Sequence, residues 1–441
     1  MTNHVIIQDK IKGFNKTIEV SGDKSISIRC VLLASQAIGN SKIYNLLESD
    51  DVINTLKSIK KLGINFKKIR NFYQISGRGL SGYNTSRKIK LDAGNSGTFA
   101  RLILGLLVNS QNTITILGDK SLSRRDFSRV SEPLKLFGAK ILTNKSKLPV
   151  NIYGSNFLRP IDYFENIGSA QCKSSIILAA LKTPGTTKII AKKSRDHTEL
   201  LLKSLKVPIK ILKKKTFDYI HINGISNFSG FNYKVPGDIS SAAFFIVLTI
   251  LTAKSNLILK NINVNNSRMG IIKILNKMNA RILIKNKKKY KGEHVSDIFV
   301  KSKQNLKSIN CPKNLNSMAI DEFLIIFLAA AKAKGVSSFK DLGELNKKES
   351  PRLDIGVKFL KMIGIKVLRK KNDIKIFGNP NLELNGKFNV KNFKKDHRVF
   401  MMSCIAALTL GGEWKIYDKN SIKSSFPKFL KIIKSLGAKI S

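Results

Sequence analysis

The chain has 441 residues, 42% of them hydrophobic, and a formal net charge of +50 at pH 7. This length and composition are typical of a globular protein of two domains and exclude a disordered or fibrous chain. The longest apolar runs, 242–251 and 323–331, are too short to span a bilayer, so we expect no membrane segment. No apolar leader opens the chain, and Cys30, Cys172, Cys311 and Cys404 lack the spacing of a metal site or a disulfide framework. These features predict a cytoplasmic protein without a metal ion.

The large positive charge makes a nucleic-acid-binding protein the first alternative. The lysines, however, are spread along the whole chain, and aromatic residues do not alternate with them as a stacking surface requires. A bias towards AT-rich codons accounts for such a composition. Arginine is scarce, and its planar guanidinium binds carboxylate or phosphate in a bidentate geometry that lysine cannot copy. We therefore expect no nucleic-acid partner, but a site for anionic small molecules where arginines stand in distinctive motifs: Arg29, Arg101, Arg125, Arg195, Arg352 and Arg398.

An internal repeat dominates the order of the chain. Six apolar runs rich in small residues recur at intervals of roughly 70 to 80 residues, a period typical of repeated supersecondary units. They begin near Ser25, Ser96, Ser169, Asp238, Ala319 and Asp396. Each run has the composition of a buried helix, and it is followed by a short strand, an amphipathic helix and, in most copies, two further strands. The pattern predicts an α/β (α+β) protein of six βαβαββ-type repeats, three in each domain.

The similarity of YKVPGD (233–238) to VSGDK (20–24) indicates where the chain passes between domains. We predict one domain from residues 1–19 and 236–441 and the other from residues 20–235. The repeat directs the N-terminus of every opening helix towards one cleft, and helix N-termini favour anions. We thus expect the ligand site in that cleft.

The first repeat opens with VSGDKSISIR (20–29), in which Gly22 and Asp23 form a turn ahead of a helix. Lys24 and Ser25 then lie at the exposed helix N-terminus, where unpaired backbone N–H groups favour an anion. Arg29 follows four residues after Ser25 and projects from the same face. The alternative is a surface helix that Ser25 caps, with Lys24 as a solvated charge.

Later motifs add hydrogen-bonding and titratable groups. The second repeat offers backbone N–H groups in GNSGTFAR (94–101) and close arginines in SLSRRDFSRV (121–130), for which a solvated arginine face is the alternative. The third repeat offers Ser169 and Gln171 as neutral partners. The last two repeats supply Asp321 and Glu349 among lysines and arginines, which favour ionised carboxylates. These two carboxylates are the acid and base candidates.

The motifs resemble those of the enolpyruvylshikimate-phosphate synthases over nearly the whole chain. The resemblance rests on GDKSISIR, LLESDDVINTL, GNSGTFAR, SLSRRDFSRV, GSAQCKS, SRDHTE, VPGDISSAAF, SMAIDEF, KKESPRL, DHR and SSFPKFLKIIKSLGAKI. It implies transfer of the enolpyruvyl group of phosphoenolpyruvate to the 5-hydroxyl of shikimate-3-phosphate, with release of phosphate, in the shikimate pathway to chorismate and the aromatic amino acids. The family fold is a two-domain inside-out α/β barrel with three βαβαββ units per domain. The resemblance further implies that these two small molecules are the substrates and that the protein is a target of the herbicide glyphosate. We expect a monomer that needs no cofactor.

The resemblance also assigns site residues. For shikimate-3-phosphate they are Lys24, Ser25, Arg29, Ser169, Ala170, Gln171, Asp321 and Lys348. For phosphoenolpyruvate they are Lys24, Gly97, Arg125, Gln171, Arg352 and Arg398. It implies that Asp321 is the base at the acceptor hydroxyl, and that Glu349, with Lys24, transfers the proton at the methylene carbon.

Several positions depart from the family pattern: Ile28, Asp126, Asn346, Pro351 and Ser424. Of these, Asp126 and Pro351 flank phosphoenolpyruvate ligands, so substrate affinity is what they affect. A sister family transfers the same group to a UDP-amino sugar and commonly has a cysteine in the loop of the second repeat. Residues 118–129 contain no cysteine. A UDP-amino sugar acceptor is the second alternative.

Overall fold

A computed structural model describes residues 3–303 and 305–441 of the chain. The chain divides into two compact units, which we call the terminal unit and the central unit. The terminal unit contains residues up to Ser21, Pro236–Lys289 and His294–Ser441. The central unit contains Gly22–Val235 and the short segment Tyr290–Glu293.

The chain changes unit between Ser21 and Gly22 and between Val235 and Pro236, and the predicted changes lie at 19/20 and 235/236. The segment Tyr290–Glu293 differs from the prediction, which placed it with residues 236–441. It groups with the central unit because Tyr290 Oη accepts a hydrogen bond of 2.9 Å from Lys234 N, and Glu293 Oε1 lies 2.6 Å from His197 Nδ1.

Helices and strands alternate along the chain as the repeat predicts. The α-helices are α1 Lys24–Gln36, α2 Asp50–Lys61, α3 Gly97–Leu106, α4 Ser128–Lys135, α5 Ala170–Ala180, α6 His197–Ser204, α7 Ile239–Leu251, α8 Gly270–Lys277, α9 Phe323–Ala331, α10 Arg352–Met362, α11 His397–Leu410 and α12 Phe429–Ser435. Short 3₁₀ helices span Leu122–Arg124, Asn266–Arg268, Lys313–Leu315, Gly343–Lys347 and Lys419–Ser424.

Within residues 3–303 and 305–441, the strands form six sheets of three or four strands. They are β1 His4–Ile7, β2 Asn15–Ile18, β3 Ile38–Tyr44, β4 Asn65–Ile69, β5 Phe72–Arg78, β6 Ile89–Asp92, β7 Ile114–Leu117, β8 Lys140–Asn144, β9 Lys147–Tyr153, β10 Asp162–Glu165, β11 Thr186–Lys192, β12 Ile209–Lys213, β13 Phe217–Asn223, β14 Asn232–Lys234, β15 Asn256–Asn263, β16 Arg281–Tyr290, β17 Glu293–Lys301, β18 Gly335–Phe339, β19 Val367–Lys370, β20 Asp373–Gly378, β21 Lys387–Val390 and β22 Glu413–Tyr417.

The central unit holds three sheets, with strand orders β14-β3-β5-β4, β6-β7-β9-β8 and β10-β11-β13-β12. Each joins one parallel pair to an antiparallel hairpin, which is the βαβαββ connection. The opening helices α1, α3 and α5 are buried along most of their length. A Cβ at Gly105 of α3 would lie 2.2 Å from the carbonyl oxygen of Ser175, so this glycine allows α3 and α5 to pack closely.

The terminal unit holds the other three sheets, with strand orders β16-β17-β15-β2, β18-β20-β19 and β1-β22-β21. Strand β1 pairs antiparallel with β22 and so completes the sheet of the last repeat. The leading strands of the first and fourth repeats are exchanged, because β2 pairs with β15 and β14 pairs with β3. Helices α7, α9 and α11 are buried along nearly their whole length and contribute to the core of the unit.

One predicted helix start is wrong. The fifth opening helix begins at Phe323 rather than near Ala319, because residues 316–322 form turns. Within the described ranges, no helix is long and apolar enough to cross a lipid bilayer.

Candidate active site

The N-terminus of α1 is built by Asp23, whose Oδ1 accepts a hydrogen bond of 2.9 Å from Ile26 N. A Cβ at Gly22 would lie 2.2 Å from the carbonyl oxygen of Asn45, so the preceding turn requires glycine. Asp23 therefore caps the helix instead of Ser25, which was the alternative for this stretch. Lys24 is one-fifth exposed and its Nζ donates to Asp51 Oδ2 at 2.8 Å. Sequence reasoning missed Asp51, although it lies in the quoted motif LLESDDVINTL.

Arg29 is buried, and its guanidinium is held on three sides. Its Nε donates to Thr198 Oγ1 at 2.7 Å, its Nη2 to Ser174 Oγ at 3.0 Å and its Nη1 to the carbonyl oxygen of Ser25 at 2.9 Å. The contact with Ser25 agrees with the predicted four-residue spacing on one helix face. Burial lowers the pKa of Arg29 to about 10, against the opposing charge of Glu199. The plane of the guanidinium is thus fixed by two hydroxyl groups that sequence reasoning did not select.

A second group of predicted residues meets around the start of α3. A Cβ at Gly97 would lie 2.9 Å from Arg101 Nη1 and 3.0 Å from Arg125 Nη1. Arg101 Nη1 donates to Gln171 Oε1 at 2.9 Å, and Arg125 Nη2 donates to Asn95 Oδ1 at 2.5 Å. The structure therefore brings Gly97, Arg125 and Gln171 together, with Arg101 between them.

Two other features of the second-repeat loop differ from what its sequence suggests. Arg124 is exposed, so it does not join Arg125 in a buried clamp. The carboxylate of Asp126 accepts a hydrogen bond of 2.7 Å from Ser128 N at the start of α4. Hydrogen bonding to Ser128 outweighs partial burial and lowers the pKa of Asp126. Asp126 therefore has a structural partner of its own beside Arg125.

The N-terminus of α5 carries the third group of predicted residues. Ser169 Oγ accepts a hydrogen bond of 3.2 Å from Cys172 N, and a serine hydroxyl can donate as well as accept. Glu165 accepts hydrogen bonds from the backbone N–H groups of Ile167, Gly168 and Ser169. These bonds fix the turn that places Ser169, Ala170 and Gln171 at the helix start.

In the terminal unit, Arg352 gathers three carboxylates. Its Nε donates to Asp396 Oδ2 at 2.9 Å, its Nη1 lies 3.3 Å from Asp321 Oδ1, and its Nη2 bonds to Glu349. Lys348 Nζ lies 3.4 Å from Asp321 Oδ1. Burial acts to lower the pKa of Arg352, but the three carboxylates outweigh it and raise that pKa. The two predicted acid and base carboxylates, Asp321 and Glu349, are thus brought to one guanidinium.

Asp396 connects this group to α11. It is fully buried, and its carboxylate accepts hydrogen bonds from Arg398 N at 2.9 Å and Ser350 Oγ at 2.8 Å. Burial acts to raise the pKa of Asp396, but the charge of Arg352 holds it below its ordinary value. Ser424 Oγ, one of the departures from the family pattern, lies 3.4 Å from His397 Nδ1.

Two predicted ligands of phosphoenolpyruvate have unused donors. Among the residues that the structure describes, the buried Nε atoms of Arg125 and Arg398 have no hydrogen-bond partner. Buried polar groups are normally hydrogen-bonded, so these donors fit anion-binding roles. The remaining departures have local explanations: Asn346 accepts from Leu353 N at 3.0 Å near the start of α10, Pro351 precedes that helix, and Ile28 is fully buried.

Comparisons with known proteins agree on one family. The family model for EPSP synthase (3-phosphoshikimate 1-carboxyvinyltransferase) matches residues 8–433. Curated relatives named 3-phosphoshikimate 1-carboxyvinyltransferase, from Ruthia magnifica subsp. Calyptogena magnifica and from Bartonella quintana, are each 38% identical to this chain, over 96% of both partners.

Solved structures give the same result. An EPSP synthase from Acinetobacter baumannii superposes with a TM-score of 0.87 at 32% identity, over 100% of this chain and 99% of that one. The predicted two-domain inside-out α/β barrel is thereby confirmed. The enolpyruvyl transferase NikO from Streptomyces tendae has a TM-score of 0.79 at 14% identity over 99% of this chain and 98% of that one, and it shares the fold alone.

Proposed function

We propose a function from one premise: the chain belongs to the EPSP synthase family, whose model matches residues 8–433. The protein transfers the enolpyruvyl group of phosphoenolpyruvate to the 5-hydroxyl of shikimate-3-phosphate and releases phosphate. This is the step of the shikimate pathway that leads towards chorismate and the aromatic amino acids. The relatives at 38% identity have the name of this activity, so a UDP-amino sugar acceptor and a nucleic-acid-binding role lose their support.

The phosphoenolpyruvate site that we propose uses Arg125 and Arg398 as its main anion ligands. The observation that supports this is the buried, unpartnered Nε of each arginine in the described part of the chain. Arg352 contributes too, but its guanidinium already bonds to Asp396, Asp321 and Glu349. To bind Arg352, the substrate carboxylate therefore has to displace Glu349 or Asp321 from one edge of the guanidinium. Lys24, Gly97 and Gln171 complete the proposed set.

The shikimate-3-phosphate site that we propose centres on Arg29, whose guanidinium is fixed by Thr198 and Ser174. A fixed guanidinium favours a phosphate because little side-chain entropy is lost on binding. The other proposed ligands are Lys24, Ser25, Ser169, Ala170, Gln171, Asp321 and Lys348.

The reaction proceeds by addition and then elimination. The oxygen of the acceptor hydroxyl attacks C2 of phosphoenolpyruvate while Asp321 accepts the hydroxyl proton. Glu349, with Lys24, delivers a proton to the methylene carbon C3. Loss of a proton from that carbon and of phosphate from C2 then restores the double bond. A positioned general acid or base contributes on the order of a hundredfold to ten-thousandfold in rate.

A phosphate-release assay tests this function. We expect release when phosphoenolpyruvate is mixed with shikimate-3-phosphate, and none when a UDP-amino sugar replaces it. An Arg398→Gln variant should lose most of the rate, whereas Asp9→Asn, which changes an exposed surface pair with Lys439, should not. Phosphate release from phosphoenolpyruvate with the UDP-amino sugar, but not with shikimate-3-phosphate, would overturn the assignment.

We further propose that the protein is a cytoplasmic monomer whose domains correspond to the two units and that it has no nucleic-acid partner. The support for the last point is the scattered placement of lysine in the sequence. A salt titration of DNA binding tests it, because a specific nucleic-acid surface keeps measurable affinity at physiological salt. Sedimentation velocity tests the monomer.

A further inference from the structure

Glu322 directly follows Asp321 but points the other way. The side chain of Asp321 is 14% exposed and meets Lys348 and Arg352. Glu322 is 1% exposed and receives a hydrogen bond from the hydroxyl of Ser240, in the first turn of α7. Two adjacent carboxylates thus serve different surroundings, one in the proposed site and one in the core of the terminal unit.

The partner of Glu322 is itself held by a charged residue. Arg268, which is 2% exposed, donates from Nη2 to Ser240 Oγ at 2.6 Å and to Asp238 Oδ1 at 3.0 Å. Asp238 in turn accepts from Ser240 N at 3.0 Å and so caps α7. The hydroxyl of Ser240 is therefore fixed in direction, and it presents its hydrogen to Glu322.

Close packing holds the same turn from a second side. A Cβ at Gly270, which begins α8, would lie 2.6 Å from both Ala319 N and the carbonyl carbon of Met318. The start of α8 thus lies directly against the backbone just before Asp321. Glu322 N also donates to the carbonyl oxygen of Ala319 at 2.9 Å. The turn over residues 316–322 is consequently fixed at Ala319 by packing and at Glu322 by a hydrogen bond.

A buried carboxylate is costly unless hydrogen bonds or a cation compensate it. In the described part of the chain, Glu322 Oε2 is buried without a hydrogen-bond partner. The bond from Ser240 to Oε1 therefore compensates the cost of burying this carboxylate. Loss of that bond would remove the side-chain contact that ties the backbone next to Asp321 to α7.

We propose that Glu322 is the positioning residue for Asp321: its bond to the Ser240–Arg268 pair sets the direction in which the Asp321 carboxylate faces the acceptor hydroxyl. This inference rests on the proposed function, in which Asp321 is the base. A misplacement of a reacting group by about 1 Å costs on the order of a hundredfold in rate. Glu322 is buried against α7 and is outside the proposed set of substrate ligands, so its loss should lower kcat and leave both KM values nearly unchanged.

A double-mutant cycle of Glu322→Ala with Asp321→Asn is the test. In the parent background we expect Glu322→Ala to lower kcat by roughly tenfold to a hundredfold. Glu322→Gln should keep most of the rate, because its amide oxygen still accepts from Ser240. In the Asp321→Asn background, single-turnover rates should be nearly the same with and without Glu322→Ala. Glu383→Ala, which changes an exposed pair with Lys10, is the control. If Glu322→Ala does not fold, Ser240→Ala takes its place in the cycle.

The outcomes separate this inference from the function on which it rests. An equal fold loss in both backgrounds, or a Gln variant as slow as the Ala variant, overturns the positioning role while the function stands. A parent-like rate for Asp321→Asn overturns the role of Asp321 and this inference with it. A parent that releases no phosphate from the two substrates overturns the proposed function itself.

Discussion

Arg352 Nε donates a hydrogen bond of 2.9 Å to Asp396 Oδ2, and the two residues are only 1% and 0% exposed. A buried ion pair is strongly destabilised when one partner is removed, because the other charge stays buried without compensation. The pair also joins two parts of the proposed site: Arg352 holds Asp321 and Glu349, and Asp396 caps α11, whose second residue is Arg398. Its integrity therefore matters for stability and for geometry.

The Asp396→Asn variant should be less stable by about 3 to 5 kcal/mol at neutral pH. Asparagine still caps α11, so the loss of stability measures the contribution of the negative charge of Asp396. Because the pKa of Asp396 is lower in the folded protein, its contribution is complete above the unfolded-state pKa of about 3.9 and is lost as pH falls from there towards the folded-state pKa. Urea unfolding followed by fluorescence of Trp414 measures this. Asp9→Asn is the surface control, and equal acid sensitivity of Asp396→Asn and the parent would contradict the prediction.

Arg125, Arg352 and Arg398 should not tolerate lysine, because lysine cannot copy the bidentate fork. We expect each Arg→Lys variant to raise the KM for phosphoenolpyruvate, and Arg352→Lys also to lower stability, since its three carboxylates lose directed donors. Lys67→Arg, on the exposed edge strand β4, is the control: it is the reverse substitution at a surface position and should leave the KM unchanged. Unchanged steady-state kinetics in all three variants would place the anion clamp elsewhere.

Thr198→Val should raise the KM for shikimate-3-phosphate roughly tenfold, because it leaves Arg29 Nε buried without its acceptor. Thr198→Ser keeps a hydroxyl and should restore most of the affinity. Thr186→Val, at an exposed position of β11, is the control. An equal rise in the KM for phosphoenolpyruvate would point to general disorder of the site instead of misplacement of Arg29.

Sequence alone could predict the repeats and the chemistry-bearing positions, for identifiable physical reasons. The buried helices recur because each repeat has to bury one apolar helix, and that demand is visible as a run of small apolar residues. The important arginines stand out because arginine is scarce in this lysine-rich chain and these arginines stand in distinctive motifs. Gly97, Arg125 and Gln171 could therefore be selected before their contacts were known.

The partners of those residues could not be predicted in the same way. Thr198 is 169 positions from Arg29, and Asp396 is 44 positions from Arg352. No local period encodes such pairs, since they depend on how whole helices pack. The error at the fifth repeat has the same origin: the apolar composition extends the helix back to Ala319, but the contacts of Gly270 and Ser240 hold residues 316–322 as turns.

Lys182 makes the stability of the central unit depend on pH. Its Nζ donates to the carbonyl oxygen of Leu80 and lies 5.3 Å from the ring centre of Tyr83, and burial lowers the pKa of Lys182 to about 7. The ordinary value is 10.5, so the unfolded chain binds the proton more tightly and stability rises with pH between about 7 and 10.5.

The Lys182→Met variant should consequently be more stable than the parent at pH 7, by about 2 to 5 kcal/mol. The difference should shrink as pH rises towards 10, where the parent lysine is neutral in the folded state and loses its proton in the unfolded state as well. Circular dichroism in urea is the suitable measurement, because Trp414 lies in the terminal unit. Lys67→Met is the exposed control, and a difference that stays constant from pH 7 to 10 would contradict the prediction.

Gly97→Ala should weaken inhibition by glyphosate, which we expect to bind at the proposed phosphoenolpyruvate site. The added methyl has no free space: it would lie 2.9 Å from Arg101 Nη1 and 3.0 Å from Arg125 Nη1. Both guanidinium ends can move, so the fold survives. Arg101 is hydrogen-bonded to Gln171, however, and Arg125 to Asn95. Moving the two guanidinium groups therefore breaks these bonds and displaces the proposed anion ligands.

Overpacking of this kind costs about 1 to 3 kcal/mol, which corresponds to roughly tenfold to a hundredfold in binding. We therefore expect the inhibition constant of glyphosate to rise by that factor and the KM for phosphoenolpyruvate to rise less, because the substrate is shorter than the inhibitor. Gly386→Ala is the control, since among the described residues its Cβ would meet Phe388 alone, at 3.7 Å. A parent that is already as tolerant as Gly97→Ala would show that space at Gly97 does not decide the affinity for the inhibitor. An equal rise in the inhibition constant of glyphosate and in the KM for phosphoenolpyruvate would show that displacement of Arg125 and Arg101, and not the length of the ligand, causes the loss of affinity.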